Sequence, residues 1–163
     1  MKKTLIALSL AATSTLASMN LMAAQADHIN IENPFAREVP PGAPASASFM
    51  TLKNNSDEQI DIVAAHSDVA KVIELHTHTN DNGVMRMRKI PQIEIPANGT
   101  TELKPGGLHI MLIGPHNPIK VGQTVTVELE FKDGSRKTVD MPVKSFKKMM
   151  MNHQGMQHGH GMH

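Results

Sequence analysis

The chain has 163 residues, with 16 basic and 15 acidic side chains and a formal charge of +1. That is enough for one domain with its own core, and it lacks the basic excess of a nucleic-acid-binding protein. It holds 10 His and 13 Met but no Cys, Trp or Tyr, so there is no disulfide, no lipid-acceptor thiol at a cleavage point and no thiolate for a blue-copper electron-transfer site.

The first residues read as a secretory signal. Lys2 and Lys3 supply the charge, Leu5 to Leu10 opens an apolar run, and Ala24-Gln25-Ala26 puts small residues at the positions a signal peptidase inspects. Cleavage is expected after Ala26, which makes 1–26 the signal and leaves Asp27-His28 as the new start; loss of Lys2 and Lys3 turns the formal charge from +1 to −1. Thr13, Ser14, Thr15, Ser18 and Asn20 break the apolar run short of a spanning helix. No later stretch is apolar enough to span, so the exported chain is expected to have no membrane span. A cut one residue later would expose His28 as an amino-terminal copper ligand, but it would place Asp27 where a small residue belongs.

From Ile29 to about Phe146 short strands alternate with turns, and the expected domain is 27–146. Ala45 to Lys53 suits a strand, followed by a turn at Asn54-Asn55-Ser56-Asp57. Gln59 to Ala65 and Lys71 to Thr77 are rich in β-branched residues. Thr79-Asn80-Asp81-Asn82-Gly83 is a turn signal, and Val84 to Lys89 follows as a strand. Asn98-Gly99 and Pro105-Gly106-Gly107 punctuate what comes next. Leu108 to Ile113, Thr124 to Phe131 and Arg136 to Val143 complete the set, the last two joined at Asp133-Gly134. Strands at this density with no long helix predict an all-β sandwich or barrel.

Within this frame four soft or borderline donors follow a fixed spacing: His76, ten residues, Met87, twenty-one residues, then His109-Ile110-Met111. Alternation along a strand puts His109 and Met111 on one face and Leu108, Ile110 and Leu112 on the other, as core. Folding Lys71–Thr77 onto Val84–Lys89, with pairing centred between Asp81 and Asn82, sets His76 opposite Met87 and His78 opposite Met85, on one face. Two imidazoles and two neutral thioethers favour Cu(I); Ca²⁺ and Mg²⁺ want oxygen, and thioethers are not usual zinc ligands. A methionine on a strand is more often core than ligand; the shared-face parity in each local pair tips the reading towards a metal site. His78, Met85 and Met50 are nearby extra donors, expected to pack or support rather than bind. His66 and His116 fall near turns, as surface residues.

The chain also resembles a known family, the periplasmic copper chaperones of the PCuAC type. The resemblance rests on Glu74-Leu75-His76, Gly83-Val84-Met85-Arg86-Met87-Arg88, Ile95-Pro96-Ala97, Leu103-Lys104-Pro105-Gly106-Gly107 and Leu108-His109-Ile110-Met111-Leu112, and extends from about Ile31 to Val143. It implies a cupredoxin-like, Greek-key β-sandwich, a monomer in the periplasm, one Cu(I) at His76, Met87, His109 and Met111, and delivery to a copper-accepting protein such as the CuA subunit of a haem–copper oxidase. No catalytic turnover is expected. The alternatives are a general copper buffer or resistance protein and a non-catalytic β-sandwich interaction module.

The end, 147–163, has no apolar period and is expected to be a disordered tail. It carries Met149, Met150, Met151, His153, Met156, His158, His160, Met162 and His163. A tag would be a pure His run; the interleaved Met argues instead for a flexible arm taking extra Cu(II) or Cu(I).

Overall fold

The computed structural model describes residues 23–145; the expected signal up to Met22, Phe146 and the expected Met/His tail, 147–163, lie outside the described residues. The described chain is almost entirely β. A short helix, α1 (Gln25–His28), leads into β1 (Ile29–Arg37), β2 (Ala45–Asn54), β3 (Ile60–His66), β4 (Ala70–Asp81), β5 (Val84–Lys89), β6 (Ile93–Ile95), β7 (Thr100–Leu103), β8 (His109–Pro115), β9 (Thr124–Phe131) and β10 (Arg136–Lys144). The hydrogen-bonded order is β5-β4-β8-β2-β1-β10-β9-β3-β6, with β7 on β2. The parallel pairing of β1 with β10, Ala36 to Val143 and Arg37 to Lys144, joins the two halves. They form an open β-sandwich.

Alternation explains what lies inside. Val125, Val127, Leu129 and Phe131 of β9 face inward against Val139, Met141 and Val143 of β10, and Leu75, Ile110 and Leu112 close the core from β4 and β8. At about 25 cal/mol per Å² of apolar surface removed from water, these aliphatic side chains supply the main stabilisation of a domain without disulfides. Met50 is 2% exposed and lies in this core, on the face of β2 opposite Ala47, the residue that pairs with Met111, which sets it apart from the donors.

The β4–β5 hairpin corrects the expected register. His76 pairs with Lys89, His78 with Met87 and Asn80 with Met85, a slip of two residues from the pairing inferred above. The cause is the turn. Asn82 and Gly83 both take positive φ, 54° and 88°, the combination a two-residue type I′ hairpin turn requires. Asn80 Oδ1 accepts the Gly83 N–H at 2.7 Å and closes it. Centring the turn one residue earlier would force positive φ on Asp81 and waste the glycine. A slip of two keeps every side chain on its expected face. On the reverse face Arg88 donates to Asp81 at 2.6 Å. All of β5 is exposed, so the hairpin overhangs the core.

Before β1 continues, Gln25 and Ala26 are bound into the domain. Gln25 N–H donates to Asp133 Oδ2 at 2.8 Å, Ala26 N–H to Ser135 Oγ at 3.0 Å, and Lys137 Nζ to the Ala26 carbonyl at 3.0 Å. Ala26 is buried.

Candidate metal site

The outer face of the β5-β4-β8 edge carries the donors. His76 and His109 are direct cross-strand partners in the β4–β8 ladder, and Glu74 opposes Met111. His76 thus has His109 beside it and both thioethers on its diagonals: Met87 one step towards the turn, Met111 one step the other way. Diagonal neighbours lie about 7–8 Å apart at the backbone, within reach of a long, flexible side chain. The expected direct opposition of His76 and Met87 is replaced by this diagonal, and His78 takes the place facing Met87. Met85 opposes Asn80, a further step away.

Burial differs sharply among the four. His109 is 1% exposed. Met111 and His76 are half-buried, and Met87 is 48% exposed. Cover over His109 comes from Phe49, whose ring lies 6.3 Å away, itself 5.1 Å from Phe35. Phe35 reaches that position through a bulge in β1 at Asn33, which has φ 51°.

Each motif imidazole is fixed by one nitrogen and left bare at the other. His109 Nδ1–H donates to the Gly107 carbonyl at 2.9 Å. His76 Nε2–H donates to Glu74 Oε2 at 2.8 Å. The remaining nitrogens, His109 Nε2 and His76 Nδ1, are buried and have no hydrogen-bond partner among the described residues, and the two ring centroids are 5.8 Å apart. An unpaired buried polar atom costs about 1–3 kcal/mol. Two such lone pairs side by side, each set by a hydrogen bond behind the ring, form the arrangement in which metal-binding histidines are held. The chemistry of the donor set therefore fits a soft or borderline cation.

Electrostatics favour a neutral His109 ring. Burial holds the His109 pKa below its ordinary value, against the Gly107 hydrogen bond, with the neighbouring His78 and His76 adding to the depression. Glu74 stays ionised to lower pH than usual because Lys89 and His76 hydrogen-bond its carboxylate; Lys89 Nζ donates to Oε1 at 2.8 Å. Glu74 and Lys89 thus form an ion pair beside the site.

Among the described residues no three His, Cys, Asp or Glu side chains are already gathered to hold an ion. A four-donor site here depends on the thioethers. Glu74 and Gly107 were missed as supporting groups, although Glu74, two residues before His76, is legible as a same-face neighbour. His66 pairs with Glu130 at 2.7 Å on the other half of the sandwich, and His116 is exposed; both are surface residues, as expected. The tail donors, Met149 to His163, lie outside the described residues.

Residues 29–143 match the family model described as "Putative lipoprotein LpqE-like". The chain belongs to the LpqE-like family. Within the family's reach, it is 35% identical over 132 residues to "Putative lipoprotein Lxx21020" of Leifsonia xyli subsp. xyli, covering 80% of this chain and 78% of that one. The fold is similar to the Cu(I)-bound solution structure of DR1885 from Deinococcus radiodurans, with 38% identity, TM-score 0.58 and coverage of 70% of this chain and 76% of that one. It is also similar to the copper-bound PCuAC domain from PmoF2, with TM-score 0.62, 21% identity and coverage of 72% and 93%. The resemblance to PCuAC-type domains drawn from the motif therefore holds at the level of the fold. Among the described residues no helix is long and apolar enough to cross a membrane.

Proposed function

We propose that this protein is a periplasmic copper chaperone that carries Cu(I) on His76, Met87, His109 and Met111 and passes it to an acceptor, without catalytic turnover. The observation that carries the reading is the pair of buried, unpartnered imidazole nitrogens on directly opposed residues, His76 Nδ1 and His109 Nε2. The similarity to Cu(I)-bound DR1885 supports copper as the ion. Two nitrogens and two uncharged sulfurs suit a monovalent soft ion.

The unequal burial suits transfer. His109 anchors the ion from inside while Met87, on an overhanging edge strand, leaves first. An acceptor's ligand enters from the Met87 side before the remaining donors release. The copper-binding CuA subunit of a haem–copper oxidase is the acceptor class we favour, reached in an exported compartment after the signal is removed. The tail, 147–163, takes additional Cu(II) or Cu(I) and raises the local supply near the main site.

A competitive Cu(I) titration tests the ligand set, comparing the chain ending at Lys147 with its Met87→Ala, Met111→Ala variant. Loss of hydrogen-bonding support alone costs about 10–100-fold in metal affinity, so loss of two ligands should exceed about 100-fold. An unchanged affinity in the double variant defeats the assignment. A buffer differs only in lacking a specific acceptor, and a transfer assay to an isolated CuA domain separates the two.

A further inference from the structure

The hairpin register brings a third imidazole to the site, one that the four-residue motif does not include. His78 stands directly opposite Met87. Its ring centroid is 5.1 Å from that of His109, closer than His76 at 5.8 Å. Its Nδ1 points at the same Gly107 carbonyl that holds His109, at 3.4 Å against 2.9 Å. One carbonyl therefore orients both rings, leaving the Nε2 lone pair of each directed away from it. A contact of 3.4 Å is weak and readily given up, so His78 turns more freely than its neighbour.

We propose that His78 is a copper ligand of this chain that serves the divalent ion: His76, His78 and His109 together hold Cu(II), while Cu(I) stays on the two-His, two-Met set. The inference rests on the copper-binding reading above and adds a second oxidation state to the same site. Cu(II) prefers nitrogen and oxygen donors in tetragonal geometry, and thioethers serve it poorly. Two imidazoles leave it short of nitrogen; a third, one ladder step from His76, supplies what is missing. Because the three rings are not already gathered to hold an ion, the His78 ring rotates about its side-chain bonds to join, and its long hydrogen bond to Gly107 is what breaks. A domain built this way captures copper in either state, and no electron transfer by the protein is required.

The test uses the full chain, uniformly labelled with ¹⁵N, and follows the histidine rings by long-range ¹H–¹⁵N spectra, with His78→Asn for assignment. Cu(I) is expected to shift the ring nitrogens of His76 and His109 and leave those of His78 in place. Substoichiometric Cu(II) is expected to broaden all three. In His78→Asn the Cu(II) needed to broaden His109 should rise about tenfold or more, with the tail's histidines acting as the same internal competitor in both proteins, while the Cu(I) titration is unchanged. His78 resonances that survive Cu(II), or a variant that weakens both ions equally, overturn the proposal. If Cu(I) leaves His76 and His109 unmoved, it is the motif assignment that fails, and the Cu(II) needed to broaden His109 in the chain and in His78→Asn still reports on His78.

Discussion

Glu74 and His76 are two residues apart on β4 and so share a face, and the carboxylate uses that position twice. It accepts Nε2–H from His76 and Nζ–H from Lys89, both at 2.8 Å. The first bond selects the imidazole tautomer whose bare nitrogen is Nδ1, the buried atom without a partner among the described residues. The second ties the carboxylate to β5, on the residue directly opposite His76. A carboxylate behind a metal-binding imidazole also makes that ring a better donor. Glu74→Gln should therefore lower Cu(I) affinity about tenfold without removing a ligand, since an amide keeps the shape but not the charge. Competitive titration reads the loss, and a ring-nitrogen spectrum of the apo variant should show His76 in mixed tautomers. Unaltered affinity and a single tautomer would mean that the strand alone fixes the ring.

At the scale of elements, the site depends on how β5 is held. Among the described residues this edge strand pairs with β4 alone, and its exposed ion pairs contribute little, typically 0–1 kcal/mol each. The Asn82-Gly83 turn is what sets its register and with it the diagonal from Met87 to His76. A Cβ at Gly83 would meet nothing within 4 Å, so the cost of replacing it lies in the φ of 88° alone. Gly83→Ala should destabilise the hairpin by about 1 kcal/mol, speed amide exchange in β5 and weaken Cu(I) binding, while the exchange of β9 and β10 stays as it was. Equal protection of β5 in the two proteins would show that the turn is not the determinant. The same hairpin marks the limit of what the amino-acid pattern reveals. The long strands are legible from alternation and their turn residues, and so is the face on which each donor sits. The pairing partner is less direct: Thr79 to Gly83 offers several turn centres, and only the one on Asn82-Gly83, two residues that tolerate positive φ, gives the observed register. Two short strands, Ile93–Ile95 and Thr100–Leu103, are too brief to display a period. The burial of His109 is equally hidden, since Phe49 covers it from β2 and is backed by Phe35, which a bulge in β1 that no local signal announces puts in place.

Across the whole molecule, the donors and the hydrophobic core occupy opposite faces of the same strands. Leu75, Ile110 and Leu112 are buried between the halves, while His76, His109 and Met111 lie on the opposite face, His109 under the cover of Phe49. Folding therefore does not wait for the ion, and ligand variants should remain folded. The chain's beginning is more demanding, because the fold uses residues on the leader side of the expected cut. Ala26 is part of the core cluster, and Gln25 and Ala26 fasten β1 to the turn before β10 through Asp133 and Ser135. Cleavage after Ala26 would discard these bonds and leave the half-buried Ser135 side of the turn without them. At about 0.5–1.5 kcal/mol for each net hydrogen bond, a chain starting at Gln25 should be more stable than one starting at Asp27 by about 2 kcal/mol, seen as a lower denaturant midpoint for the shorter form with an unchanged slope. Equal midpoints would mean that the bonds are replaced by water at no cost. Intact mass of the exported protein then identifies which start the cell uses, and a start at or before Gln25 would show that export preserves the fastening that the fold employs.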